Sequence, residues 1–167
     1  MIVTIWRHGE ADSAATDRQR ELTARGRAQL DTGCSQFLAA CDNRSLPVPD
    51  QVLHSPWLRT TQTAEIIATA LGRGPTGDCT ALRPGSDMHA VDRSLAELMD
   101  SRHRPRHLVL VSHQPLVSRL VDHYLGEPGR VPALSPGGLA TLSVDVAARA
   151  CARLLFWALP PDYVATA

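Results

Sequence analysis

The chain has 167 residues, 44% of them hydrophobic and 20% charged, which is ordinary single-domain size with enough apolar material for one substantial core. Seventeen basic and seventeen acidic side chains cancel to zero net charge, so no global field recruits nucleic acid or an anionic membrane, and any anion site must be local. No stretch approaches the roughly 20 apolar residues of a membrane span, and Met1 to Ile5 shows no signal-peptide pattern; the expectation is a soluble, cytoplasmic, single domain over residues 1–167.

The order of elements begins with an apolar, β-rich run at residues 2–6, which delivers Arg7-His8-Gly9 at its carboxyl end. Glu10 to Glu21 reads as a loop. Thr23 caps a predicted helix whose apolar face is Leu30, Cys34, Phe37, Leu38 and Cys41, ending near Cys41. After a turn at Pro47 to Pro49, Gln51 to His54 reads as a second strand. Ser55 suits the N-cap and Pro56 the first position of a helix reaching about Leu71.

Gly72 to Gly77 reads as a loop, Cys79 to Leu82 as a short strand, and Asp87 to Arg102 as a helix. His107 to Ser112 carries Leu108-Val109-Leu110-Val111, the pattern of a parallel strand buried on both faces. An amphipathic helix follows, marked by Leu116, Val117, Leu120, Val121, Tyr124 and Leu125. Gly126 to Gly138 is a Pro- and Gly-rich loop, and Leu139 to Val144 and Ala152 to Ala158 form two further strands that give the sheet an antiparallel edge. Strands alternating with helices predict an α/β fold, a three-layer α/β/α sandwich around a mostly parallel sheet.

Three short motifs fall at the carboxyl ends of strands, where open α/β sheets form their ligand sites. They are Arg7-His8-Gly9, Ser55-Pro56-x-x-Arg59 and Ser112-His113. Brought together, Arg7 and Arg59 offer planar, permanently charged forks that match a tetrahedral oxyanion, and nearby helix starts add partial positive charge. The chain carries no Walker loop. A histidine beside arginines has its charged form disfavoured, which leaves an imidazole lone pair available at neutral pH. His8 fits the role of nucleophile, with Gly9 clearing the in-line approach, and His113 that of proton donor or charge stabiliser. His54, His89, His103, His107 and His123 read as surface or core-rim residues. Cys34, Cys41, Cys79 and Cys151 have no C-x-x-C pairing and no histidine at zinc spacing, so they read as free thiols with no metal or catalytic role.

With Leu22-Thr23-x-x-Gly26, His54-Ser55-Pro56-x-x-Arg59-x-x-Gln62-Thr63 and Val111-Ser112-His113 added to Arg7-His8-Gly9-Glu10, the chain resembles the histidine phosphatase superfamily, the phosphoglycerate-mutase-like group. Short length and tight motif spacing make it similar to the SixA-type phosphohistidine phosphatases, which act on histidine phosphotransfer domains of bacterial signal transduction relays. The resemblance implies a phosphoglycerate-mutase-like fold and a hydrolase that needs neither metal nor cofactor. It makes His8 the phosphorylated nucleophile, and Arg7, Arg59 and His113 the phosphate-binding residues, with Arg20 as a fifth contributor.

Mutase and broad-range members carry a Glu acid/base between the second motif and the last histidine. Thr80 to Asp87 holds no Glu. A poor alkoxide leaving group benefits from such an acid, whereas a phosphoramidate leaves as neutral imidazole when its distal nitrogen is already protonated. The missing Glu and the absence of chain for a lid therefore favour a phosphorylated protein substrate. Two alternatives stand beside this reading: a phosphatase of small phosphomonoesters with Asp87 or Glu10 as substitute acid, and a non-catalytic phosphoprotein-binding module. The residues give no role for the loop 127–137.

Overall fold

The computed structural model describes residues 1–72 and 76–167. In chain order the elements are β1 (Ile2–Arg7), α1 (Ala24–Asp42), β2 (Gln51–His54), α2 (Leu58–Ala70), β3 (Gly77–Asp78), α3 (Met88–Asp100), β4 (His107–Ser112), α4 (Leu116–Leu125), β5 (Leu139–Val144) and β6 (Ala152–Ala158). The strands form one six-stranded sheet in the order β3-β2-β4-β1-β5-β6. β1, β2, β3 and β4 run parallel, while β5 lies antiparallel to β1 and to β6.

Period-two alternation along the strands sorts their side chains into two cores. Val3, Ile5, Leu108 and Leu110 pack with Val91 and Leu95 of α3 and with Leu116, Val117 and Leu120 of α4. Trp6, Val52, Val109 and Val111 pack on the opposite face with Leu30, Cys34 and Phe37 of α1 and with Ala64 and Ile67 of α2. The three-layer α/β/α sandwich is therefore dictated by which face each odd or even strand residue occupies. Trp6 and Phe37 meet edge to face with centroids 5.3 Å apart, a pairing that adds on the order of 1 kcal/mol to simple area burial.

α1 starts where the sequence indicates. Thr23 Oγ1 accepts from Gly26 N at 2.8 Å and donates to Glu10 Oε1 at 3.0 Å, and Thr23 N donates to Glu10 O at 3.0 Å. Any Cβ at Gly26 would collide with the Glu10 carbonyl oxygen. The glycine of the Leu22-Thr23-x-x-Gly26 motif thus lets the first turn of α1 lie directly on the backbone that follows His8.

Several expectations need correction. Ser55 and Pro56 do not begin the second helix; α2 starts at Leu58 with Trp57 at its N-cap, and Ser55 turns instead to the site. The short strand lies at Gly77–Asp78, pairing with Leu53 and His54 of β2, and Thr80–Leu82 curls into a 3-10 turn. Of the loop expected at residues 72–77, Gly77 therefore belongs to a strand, and residues 73–75 lie outside the described residues. Leu38 is half-buried, and Gly33 and Ala40 take its place on the buried face of α1.

His54 and His107 are core residues rather than rim residues. His107 is fully buried, with Nδ1 donating to Pro47 O at 2.7 Å and Nε2 bonded to Thr4 Oγ1 at 2.8 Å. His54 Nδ1 and Nε2 meet Ser55 O and Thr76 Oγ1, each at 2.9 Å. A buried imidazole is tolerated when both nitrogens find partners, as these do. Cys34 and Cys41 are buried, and burial pushes both thiols up to about 12.

Candidate active site

Strand register brings the three motifs together. Arg7 lies opposite Ser112 across β1 and β4, and His54 lies opposite Val111 across β2 and β4. Because β4 sits between the other two strands, Arg7-His8, Ser55 and His113 emerge side by side at one edge of the parallel sheet, at the level where such sheets place ligands. His8 N donates to Ser112 O at 3.0 Å and Ser55 N to Val111 O at 3.1 Å, so the backbone pairing continues through the motifs themselves.

His8 is 8% exposed, and its Nδ1 lies 2.7 Å from Gly9 O. A carbonyl can only accept, so Nδ1 carries the proton and Nε2 carries the lone pair. Arg59 Nε donates to that Nε2 at 3.1 Å. Burial pushes the His8 imidazole down to about 4, and Arg59, Arg7 and Arg20 add to the fall while the Gly9 bond opposes it. The neutral ring expected from neighbouring arginines is present, but burial is the larger cause. Gly9 does not serve the in-line approach: a Cβ there would lie 2.8 Å from Leu30 Cδ1 and 3.2 Å from Leu22 Cδ2, so its bareness serves packing against α1.

Arg59 is 4% exposed and stands on the first turn of α2, with Trp57 under its guanidinium at 4.9 Å. Thr63, one turn on, donates to Arg59 O at 2.7 Å and accepts from Gly9 N at 3.1 Å, which ties α2 to the end of β1. Arg7 Nη1 donates to Leu134 O at 2.9 Å. Arg20 donates through Nε to Asp12 O and through Nη2 to Ala11 O, at 2.7 and 3.1 Å. Leu134 gives the loop 127–137 a structural part in the site.

His113 is 2% exposed, and its ring centroid lies 5.2 Å from that of His8. Its Nε2 bonds Ser55 Oγ at 2.9 Å, while Nδ1 is buried without a hydrogen-bond partner among the described residues. Burial, then His8 and Arg59, push this imidazole down to about 3. At neutral pH His113 is therefore uncharged, and its contribution is a hydrogen bond rather than a full positive charge.

These side chains share a cleft of about 370 Å³ lined by Arg7, His8, Glu10, Asp17, Arg20, Arg59, Pro84, His113 and Gln114, among others. Of the two carboxylates considered as substitute acids, Glu10 lines the cleft. Asp87 does not; it accepts from His89 N at the start of α3. Residues 80–87 contribute only Pro84. Sequence reasoning gave no role to Asp17 or Gln114, and it quoted Ser55 and Thr63 within motifs without their contacts to His113 and Gly9. The Asp17-x-x-Arg20 spacing was the available signal for Asp17, and the cap-like Ser55-Pro56 pair masked the bond from Ser55 to His113.

A model of the family described as histidine phosphatase superfamily (branch 1) matches residues 3–84, just under half of the chain, a stretch that holds Arg7-His8-Gly9, Arg20 and Arg59. Residues 3–84 of the chain match this superfamily. Among solved structures it is similar to the protein histidine phosphatase SixA in complex with tungstate, at 26% identity and a TM-score of 0.77, covering 94% of this chain and 96% of that one. A protein from Agrobacterium tumefaciens described as a SixA phosphohistidine phosphatase matches at 23% identity and a TM-score of 0.71, covering 95% and 97% of the two chains. A mycobacterial glucosyl-3-phosphoglycerate phosphatase shares the fold at 19% identity and a TM-score of 0.64, over 92% and 96%. No curated protein sequence matches the chain. The histidine phosphatase family match and these neighbours support a phosphatase acting on phosphorylated substrates. Among the described residues no helix is long and apolar enough to cross a membrane.

Proposed function

We propose that the chain, taken as one histidine phosphatase domain over residues 1–167, is a metal-independent phosphohistidine phosphatase. Its substrate would be phosphohistidine on a signalling protein, with a histidine phosphotransfer domain as the partner class. The observation that carries this is His8: Nδ1 is pinned to Gly9 O, and Nε2 keeps its lone pair inside a cleft that also holds three arginines. Similarity to SixA supports the choice of substrate, as does a stretch 80–87 that brings no carboxylate to the cleft.

In the first step the Arg59 Nε hydrogen bond to His8 Nε2 is released, and that nitrogen's lone pair forms a bond to phosphorus as the substrate P–N bond breaks. The electron pair of that bond returns to the substrate ring, which keeps its distal N–H and leaves as neutral imidazole, so no protein acid is required. Arg7, Arg59, Arg20 and His113 bind the equatorial oxygens. A phosphoryl oxygen accepts from His113 Nδ1 when Ser55 Oγ donates to Nε2, a tautomer the 2.9 Å contact permits. Water then attacks the phospho-His8, restores the lone pair and releases phosphate.

The test compares turnover of a phosphorylated histidine phosphotransfer domain with that of simple phosphomonoesters, each with and without EDTA. Preference for the phosphoprotein and indifference to EDTA are expected. Equal or greater turnover of monoesters would assign the small-molecule reading instead, and loss of activity in EDTA, restored by a metal, would remove metal independence.

A further inference from the structure

The cleft already holds an anion of its own. Asp17 Oδ2 lies 3.2 Å from Arg59 Nη2, and Asp17 Oδ1 accepts from Arg20 Nη1 at 3.0 Å. Asp17 O accepts from Arg59 Nη1 at 2.5 Å. With Nε given to His8, all three Arg59 nitrogens are engaged by the protein, so three of the five N–H groups of a guanidinium are taken and two remain. The Asp17 carboxylate thus bridges the two guanidiniums through one nitrogen of each, and these are donors that phosphoryl oxygens would also use.

We propose that Asp17 is an internal competitor for the substrate's phosphoryl group. It holds the Arg59 and Arg20 forks until phosphoryl oxygens displace it, and so sets the affinity of the site for phosphate. This rests on the reading of the cleft as a phosphate site. The Asp17 side chain is 54% exposed while that of Arg59 is 4% exposed, so the carboxylate reaches a buried guanidinium from the solvent side and regains water when it leaves. Its element, the 3-10 turn Asp17–Gln19, buries none of its residues, and the segment around it is irregular between the bridge partners Ala11 and Leu22. Little packing has to be broken to move it. Displacement also lets the carboxylate return as phosphate departs, which opposes retention of product.

A carboxylate that merely positions Arg59 has the opposite signature, because its loss would weaken binding. Inorganic phosphate and tungstate binding to the whole chain is measured by titration calorimetry for the wild type, Asp17→Asn and Asp17→Ala, beside KM and kcat and a far-UV spectrum to confirm the fold. The expected result is tighter binding of both anions in both variants, on the order of tenfold, as removal of one like charge a few ångströms away allows, with a lower KM. Weaker or unchanged binding in the variants, with the wild type binding normally, overturns the competitor role and leaves the phosphatase reading intact. No binding by any of the three overturns both.

Discussion

At His8 one ring nitrogen is fixed by Gly9, and the other, which accepts from Arg59, carries the lone pair that reacts. The Gly9 carbonyl holds the proton on Nδ1, and burial keeps the ring neutral by pushing it down to about 4. A proton arriving below that value occupies the Nε2 lone pair and blocks attack. The pH profile of kcat/KM, corrected for ionisation of the substrate, should therefore be flat through neutrality with its acid limb near pH 4 rather than near 6.5. A limb at pH 6 to 7 would show that the ring is not held neutral by its surroundings. The convergence of Arg7, His8, Arg59 and His113 was legible in the sequence because Arg7, His8 and His113 lie at strand ends and Arg59 follows β2 within a short motif, on the first turn of α2. Ser55 was not, since its partner His113 lies 58 positions away and its local pattern equally suits a helix cap.

Among the elements, the start of α1 has the sharpest consequence. Ala at an exposed helical glycine ordinarily stabilises by about 1 kcal/mol. At Gly26 the added Cβ would strike the Glu10 carbonyl, so Gly26→Ala should instead destabilise by roughly 1–3 kcal/mol and lower kcat/KM as the segment after His8 shifts. Urea denaturation and steady-state kinetics read both effects; unchanged or increased stability would deny the close approach. The periodic elements were readable at this scale. β4, β5 and β6 lie where the apolar runs put them, since burial leaves a strong pattern. The segment after α2 was not. Cys79 to Leu82 looks strand-like by composition, yet Leu82 N turns back to Cys79 O at 3.1 Å and Leu82 O accepts from Ser112 Oγ at 2.7 Å, a contact that composition does not record.

Across the whole molecule, three of the four buried imidazoles, His8, His107 and His113, are each held below their ordinary value chiefly by burial. The unfolded chain protonates them near pH 6.5, while the fold resists until about pH 4 at His8 and about pH 3 at His113. Their contribution is complete above pH 6.5 and is lost as pH falls. Each fully titrating ring costs about 1.4 kcal/mol per pH unit. Asp17 and Asp50, whose values are lowered from the carboxylate range, act only at still lower pH. Urea midpoints should accordingly drop between pH 7 and pH 5, and a constant midpoint would contradict neutral burial. The same sheet that buries these rings aligns β1, β2 and β4 so that His8 meets Arg59 and His113, and the most direct test addresses that convergence. After rapid quench with a labelled phosphohistidine substrate, wild-type protein should carry acid-labile phosphate that is absent from His8→Ala; label retained in His8→Ala would contradict the account.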